Sequence, residues 1–387
     1  MSTPAPLRVL WLTPTAALDG PGRALLALLN HWNERDTVAV CALRSATDDF
    51  RRDCPARMEV HALGMRGLWD VARWGALRRL CRTWRPDVIH TQVSRADWVG
   101  VPVARALGVP VITIIHNVHS RMYRAEFPPP VARAGALLDR LTHPLASRLI
   151  AVSEGVRRDL EHHGVPADRV VVIHNALDVE RRRLLSPRDA VRRAWGYTPE
   201  DVVVGTAALL KTQKGIPYLI EAARRVAADH PHVHFVHMGS GPLKERIAAL
   251  IAAAGLQSRF RMLDYVPEPM TLLSGLDMFV LPSLWEGLPI ALLESMAAGL
   301  PAVGTRVAGI EDVIEHERTG LLVPPADAAA LAAAISALAT DPQLRARLGR
   351  AAGDSLSRFD ARTIAAQYRA LDAEVVARTR RHSHATS

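Results

Sequence analysis

The run Met278-Phe279-Val280-Leu281-Pro282-Ser283-Leu284-Trp285-Glu286-Gly287-Leu288-Pro289-Ile290-Ala291-Leu292-Leu293-Glu294-Ser295-Met296-Ala297-Ala298-Gly299 passes from a short apolar strand through a turn into an apolar helix. The first four residues carry no polar side chain, as a strand covered on both faces of a parallel sheet requires. Pro289 suits the first position of a helix, which leaves Gly287 and Leu288 as the turn and Glu286 just ahead of the helix N-terminus. Glu294 then lies a little over one turn into that helix. Two glutamates eight residues apart usually mark a solvated face. Framed by a strand, a Pro–Ser step and an apolar helix, they point to a site. A carboxylate accepts from vicinal hydroxyls, so one glutamate can hold a sugar and the other a ribose, while the helix N–H groups hold phosphate.

The same alternation of apolar run and amphipathic stretch extends through the chain, the pattern of parallel strands joined by crossover helices. It predicts strands at Arg8–Thr13, Thr37–Leu43, Met58–Leu63, Val88–Thr91, Val111–His116, Leu149–Val152 and Val170–His174. It restarts with Val202–Thr206, His232–Met238, Phe260–Leu263, Met278–Leu281 and Ala302–Thr305. The expected class is therefore α/β, with two doubly wound domains over residues 1–180 and 181–360. The charged stretch Asp178–Glu200, with Pro187 and Pro199, is expected to connect them. Helices are expected at Ala326–Ala339 and Gln343–Ser355, and another at Ala361–Ala377 opens the last segment, 361–387. Its end, Arg378–Ser387, has no apolar period and is expected to be disordered.

Composition excludes several classes. At 387 residues and 49% apolar content the chain is long enough for two cores and too apolar for disorder. Cys41, Cys54 and Cys81 form no Cys-x-x-Cys pair, which argues against a disulfide framework or zinc ribbon and for a reducing, cytoplasmic setting. No run of 18 apolar residues occurs, so no membrane span is expected. The net charge of +9 comes from spread arginines without interleaved aromatic residues, which disfavours nucleic acid as a partner. Lys211, Lys214 and Lys244 are the only lysines, so their positions carry information.

In doubly wound sheets ligands gather at the carboxyl ends of strands. There the sequence offers Gly20-Pro21-Gly22 after the first strand, a loop in which Gly20 and Gly22 would let a diphosphate or acceptor approach. The fifth strand delivers His116, with His119 as a fallback. The first strand of the second half leads to Lys211-Thr212-Gln213-Lys214-Gly215, where Lys211 and Lys214 can neutralise a pyrophosphate. The next strand ends in Gly239-Ser240-Gly241, another close-approach turn in which Gly239 and Gly241 are candidates. No G-x-G-x-x-G follows the first strand, which disfavours a dinucleotide oxidoreductase.

In this order the motifs resemble the large retaining glycosyltransferase family of GT-B fold known as family 4, whose mark is an E-x7-E element, here Glu286 to Glu294. Similar segments fall at Pro86–Thr91, Ile150–Glu154, Val172–Asp178, Lys214-Gly215, Gly239–Gly241 and Gly309–Val313, nearly the whole chain. The resemblance implies two Rossmann-like domains facing a cleft, acceptor in the first and nucleotide sugar in the second, with a C-terminal helix crossing back to the first. It also implies transfer from a nucleoside diphosphate sugar, by default a UDP-sugar, to a hydroxyl with retention at the anomeric carbon. Lys214 and the helix start at Gly287 and Leu288 would then hold the diphosphate, Glu286 and His116 the donor sugar, and Glu294 the ribose. The sequence departs from the family at Ala208-Leu209-Leu210, where Gly-Arg-Leu is usual, so the arginine that partners the lysine is missing and Lys211 is its candidate substitute.

A nucleotide-sugar epimerase or phosphorylase, and a non-catalytic relative, share this architecture and stay open at this stage. No Asp-x-Asp occurs, so no metal and no further cofactor are expected on the diphosphate. Arg121, Arg124, Arg133 and Arg140 with Met122, Tyr123, Phe127, Leu137 and Leu138 suit either an anionic membrane face presenting a lipid-linked acceptor or plain packing on the sheet.

Overall fold

The computed structural model describes residues 5–180, 185–266 and 268–385. They form two compact units. The first takes the chain up to Leu177 together with the segment from Phe359 onward, and the second runs from Asp178 to Arg358.

The first unit holds a seven-stranded sheet of β1 (Arg8–Thr13), β2 (Thr37–Ala42), β3 (Glu59–Ala62), β4 (Val88–Gln92), β5 (Val111–Ile115), β6 (Arg148–Ala151) and β7 (Val170–Val172) in the order 3-2-1-4-5-6-7. The second holds β8 (Val202–Ala207), β9 (Val233–Met238), β10 (Phe260–Leu263), β11 (Met278–Leu281), β12 (Ala302–Thr305) and β13 (Gly320–Val323) in the order 10-9-8-11-12-13. Every pairing is parallel, and β1, β4, β5, β8 and β11 are buried along most or all of their length, which explains the apolar bias of β1, β5, β8 and β11, whereas β4 buries the polar His90, Thr91 and Gln92. Each sheet reverses its winding direction once, between β1 and β4 and between β8 and β11. Loops leaving those strands diverge there and open a crevice at their carboxyl ends.

β13 is an addition to the predicted set. Its four residues sit between the turn of residues 317–319 and Pro324, too short to register beside the Ala-rich helices that follow. The stretch expected as a linker also differs. Residues 181–184 lie outside the described residues, but Arg188–Trp195 is a helix of the second unit with Val191, Arg192 and Trp195 buried. Arg192 is only 3% exposed because its guanidinium pairs with Asp277 and donates to four backbone carbonyls. The Asp277 carboxylate in turn accepts from Arg188 and from Val203 N–H.

The final helix, Ala361–Ala385, belongs to the first unit and continues through much of the segment expected to be disordered; residues 386–387 lie outside the described residues. Ile364, Tyr368, Leu371 and Val375 recur at helical spacing and are buried. Asp372, on the same face, accepts a 2.7 Å hydrogen bond from His90 of β4, with both side chains fully buried. Trp11 of β1 stacks on the His90 ring at 4.2 Å. Farther along, Arg380 pairs with Asp87 at 2.7 Å, so the basic end of the helix is used rather than merely solvated. The three cysteines are free and buried.

Candidate active site

In the second sheet β8 and β11 lie side by side, with Val204 opposite Met278 and Gly205 opposite Phe279. The loops leaving them carry Lys214 and Glu286, so two motifs far apart in sequence emerge at one switch point. Backbone joins them first, as Leu284 N–H donates to the Gln213 carbonyl at 2.8 Å. Gly215 then seals the junction. At φ +62° a side chain is strained, and a Cβ there would lie 2.0 Å from the Pro282 oxygen.

The side chains converge on one carboxylate. Glu286 Oε1 accepts from Lys214 Nζ at 2.6 Å and from Ser283 Oγ at 2.6 Å. Glu286 Oε2 accepts from Gln213 Nε2 at 3.2 Å, and the same amide donates to the Trp285 carbonyl at 3.0 Å. Glu286 is 4% exposed, and its partner lysine keeps a fifth of its side chain accessible. Out of bulk water such a charge-assisted pair is strong, and the ammonium carries three donors of which Glu286 takes one. Thr305 at the end of β12 anchors the Ser283 carbonyl at 2.5 Å.

The helix Ile290–Ala297 begins one residue later than predicted, with Pro289 as its cap rather than its first residue. Glu294 stands on it, 5% exposed, so neither glutamate belongs to a solvated face. Gly287 and buried Leu288 form the turn before the helix, and the loop after β12 presses on it closely: Gly309, at φ +77°, would place a Cβ 1.9 Å from the Gly287 oxygen. The Gly309 amide donates to Asp312 at 3.1 Å.

Gly239 and Gly241 do not front open space. Their missing side chains are replaced by the backbone of residues 208–210, and Leu210 N–H donates to the Ser240 carbonyl at 2.9 Å. These glycines shape the lysine loop from behind. Lys211 precedes the single 3-10 turn Thr212–Lys214, and Leu209 beside it is 51% exposed. Lys244 pairs with Asp264 at the surface.

The remaining candidates belong to the first unit. His116 is the first residue after β5, and its Nε2 lies 3.3 Å from Gln92 Oε1 at the end of β4. Burial, helped by the neighbouring His119 charge, pulls this imidazole down to about 4, with Asn175 opposing, so it is neutral at ordinary pH. Gly20 and Gly22 are not a free loop: they sit in the first turn of the helix Gly20–Asn30, capped by Asp19, which accepts from Gly22 N–H at 2.9 Å. The aspartate cap and Pro21 start the helix within the stretch expected to be a loop.

Sequence reasoning passed over Gln213 and Ser283 as individual contributors, although both lie inside the quoted motifs. It also missed a buried polar cluster behind His119. Asp139 accepts from His119 Nδ1 at 2.8 Å, Tyr123 OH at 2.8 Å and Trp98 Nε1 at 2.7 Å. Desolvation raises the nearby Asp97 to about 7. This cluster borders a cavity of about 1380 Å³ that also touches Arg124, Phe127, Arg133, Leu137 and Arg140. Tyr123 is thus an interior residue, whereas Phe127 and Leu137 are exposed at 38% and 56%.

Compared with known proteins, residues 187–354 match the family described as "Glycosyl transferases group 1", and residues 18–181 match "Glycosyltransferase Family 4". The 2-deoxystreptamine N-acetyl-D-glucosaminyltransferase of Streptomyces fradiae is 30% identical over 326 residues, 78% of this chain and 74% of that protein. A UDP-Gal:alpha-D-GlcNAc-diphosphoundecaprenol alpha-1,3-galactosyltransferase of Escherichia coli is 27% identical over 259 residues, 66% of each chain. Among solved structures, HepE of Anabaena, crystallised with UDP and glucose, superposes with a TM-score of 0.79 at 22% identity, covering 94% of this chain and 99% of that one. With twin doubly wound sheets and the Glu286–Glu294 element in the second, this chain belongs to glycosyltransferase family 4, the group 1 glycosyltransferases of GT-B fold, and is a glycosyltransferase.

Proposed function

We propose that the enzyme moves a sugar from a nucleoside diphosphate sugar, a UDP-sugar, to a hydroxyl acceptor with retention at the anomeric carbon. The observation that carries this reading is the buried Lys214–Glu286 pair at the carboxyl ends of β8 and β11. Lys214 and the turn at Gly287 and Leu288 stabilise charge on the departing diphosphate. Glu286, held by Ser283 and Gln213, and His116 receive sugar hydroxyls, and Glu294 receives the ribose. Lys211 assists at the diphosphate in place of the arginine that Leu209 replaces. The acceptor oxygen bonds to the anomeric carbon as the bond to the leaving phosphate breaks, and the acceptor proton passes to a diphosphate oxygen. No step uses a divalent ion.

The acceptor reading follows from the first unit. Exposed Arg124, Arg133 and Arg140 beside Phe127, Val131 and Leu137 suit an anionic, lipid-linked acceptor at a membrane face. The related galactosyltransferase, by its name, acts on a diphosphoundecaprenol-linked sugar, which supports that class. Among the described residues no helix is long and apolar enough to cross a membrane, so attachment would be peripheral.

Calorimetric titration with a panel of nucleoside diphosphate sugars tests the donor site. UDP-sugars are expected to bind, with affinity lowered at least tenfold in Lys214→Ala and Glu294→Ala. Unchanged affinity in both variants would refute the assignment. Proton NMR of the product's anomeric coupling tests retention, and sedimentation with vesicles containing anionic lipid at low salt tests attachment.

A further inference from the structure

We propose that His119, Asp139 and His143 form a binding site for a divalent transition-metal ion, zinc first among them, inside the first unit. Each offers one ligand atom, and those atoms lie within 4.8 Å of one another. The inference is independent of the donor site, whose lysine and glutamates belong to the second unit.

The backbone explains the convergence. Asp139 lies in the last turn of the helix Pro129–Thr142, and His143 begins the 3-10 turn that continues it, so a spacing of four places both on one face. His119 opens the helix His119–Glu126, whose Tyr123 packs against that same face. The His119–Asp139 contact of 2.8 Å needs to open only slightly to reach the ~3.3 Å ligand-to-ligand edge of a tetrahedral zinc site.

Two further features point to a ligand. The Nε2 atom of His143 is buried and has no hydrogen-bond partner, in a residue only 6% exposed. Leaving such a group unused is costly, and metal coordination at this ring would offset that cost. Asp139 is also oriented as metal-bound carboxylates are, by outer donors on Trp98 and Tyr123. All three side chains border the 1380 Å³ cavity, which gives an ion an entry path and water a fourth position. Two imidazoles and one carboxylate favour zinc or cobalt over the hard ions magnesium and calcium. The bound ion would tie the two helices together as a structural clasp, so its test reads binding and stability rather than turnover.

Full-length protein stripped with chelator and dialysed is titrated with Co²⁺ and followed by visible absorption, then competed with Zn²⁺. One equivalent giving the intense bands of four-coordinate cobalt is expected, together with a zinc-dependent rise in the unfolding temperature. Both should vanish in His143→Ala, whose metal response is read against its own stripped form because the truncation also removes a buried ring that packs near His119. Trp98→Phe should weaken binding by about 10–100-fold. The double variant His162→Ala/His163→Ala, at the rim of the same cavity, should leave binding intact. No stoichiometric binding, or binding that survives His143→Ala, would overturn the proposal.

Discussion

Lys214 Nζ and Glu286 Oε1 are 2.6 Å apart across 72 residues of sequence, because β8 and β11 are neighbours in the sheet and each motif begins where its strand ends. Breaking a buried pair strands the survivor, whereas removing both charges does not. Lys214→Met is expected to lower turnover by about 10²–10³, the loss typical of one donor to a developing oxyanion. In a double-mutant cycle with Glu286→Gln, thermal unfolding should show the double variant less destabilised than the two singles summed, by roughly 1–3 kcal/mol. Additive losses would mean that the pair is incidental.

Gly215 has no room to change. Gly215→Ala places a methyl 2.0 Å from the Pro282 oxygen in left-handed backbone, so the lysine loop must shift away from the glutamate strand. More than about 2 kcal/mol of stability should be lost along with donor affinity. Gly255→Ala is the control. It has the same backbone hand, at φ +69°, but open space around the new Cβ, so it should cost only about 1 kcal/mol and leave donor binding unchanged. Denaturant melts paired with donor titrations separate the two effects.

Leu209 stands where the family usually carries arginine, and it is half exposed beside the lysine loop. Leu209→Arg should therefore tighten binding of nucleoside diphosphate sugars by about 3–10-fold, through a bidentate contact that a lysine cannot make. Calorimetry with UDP and with uridine alone would locate the gain. It should appear only when the diphosphate is present.

His116 is pulled from the usual histidine range to about 4 by burial. On acidification the unfolded chain takes up this proton first, so the residue's contribution to stability is complete above about 6.5 and drains away between there and about 4. Relative to wild type, His116→Gln should gain about 3 kcal/mol over that interval in chemical denaturation. Donor affinity should stay flat from about pH 7.5 to 5.5, since the ring is already neutral. A fall centred near 6.5 that disappears in the variant would contradict a depressed histidine.

Strands were the most legible part of the fold. Met278–Leu281 and Ala302–Thr305 could be read to the residue because strands buried on both faces admit almost nothing polar, and Phe260–Leu263 could be too, although it is an edge strand with Arg261 exposed. The helix of residues 188–195 was hidden because its charges, Arg188 and Arg192, look solvated until Asp277 is known to face them. The helix beyond Arg378 was hidden for a similar reason, since Arg380 finds its partner Asp87 only in the folded unit. In the site, Glu286 and Lys214 were visible as motif residues. Gln213 was not, because its value lies in hydrogen bonds to a loop 72 and 73 residues away, and Ser283 was passed over although its partner Glu286 stands only three residues on in the same loop. The His119–Asp139–His143 cluster gave even less signal, for it needs two helices packed together before its residues meet.

The segment from Phe359 onward completes the unit that the opening residues begin, with Asp372 locked to His90 beneath Trp11. On the ribosome, therefore, the lobe synthesised first has to wait for Asp372 to emerge before its buried histidine finds its acid. Until then the faces of Trp11 and His90 that pack against Tyr368 and Asp372 lack their cover. A nonsense codon just past Arg358 would spare every residue of the later lobe and cripple the earlier one.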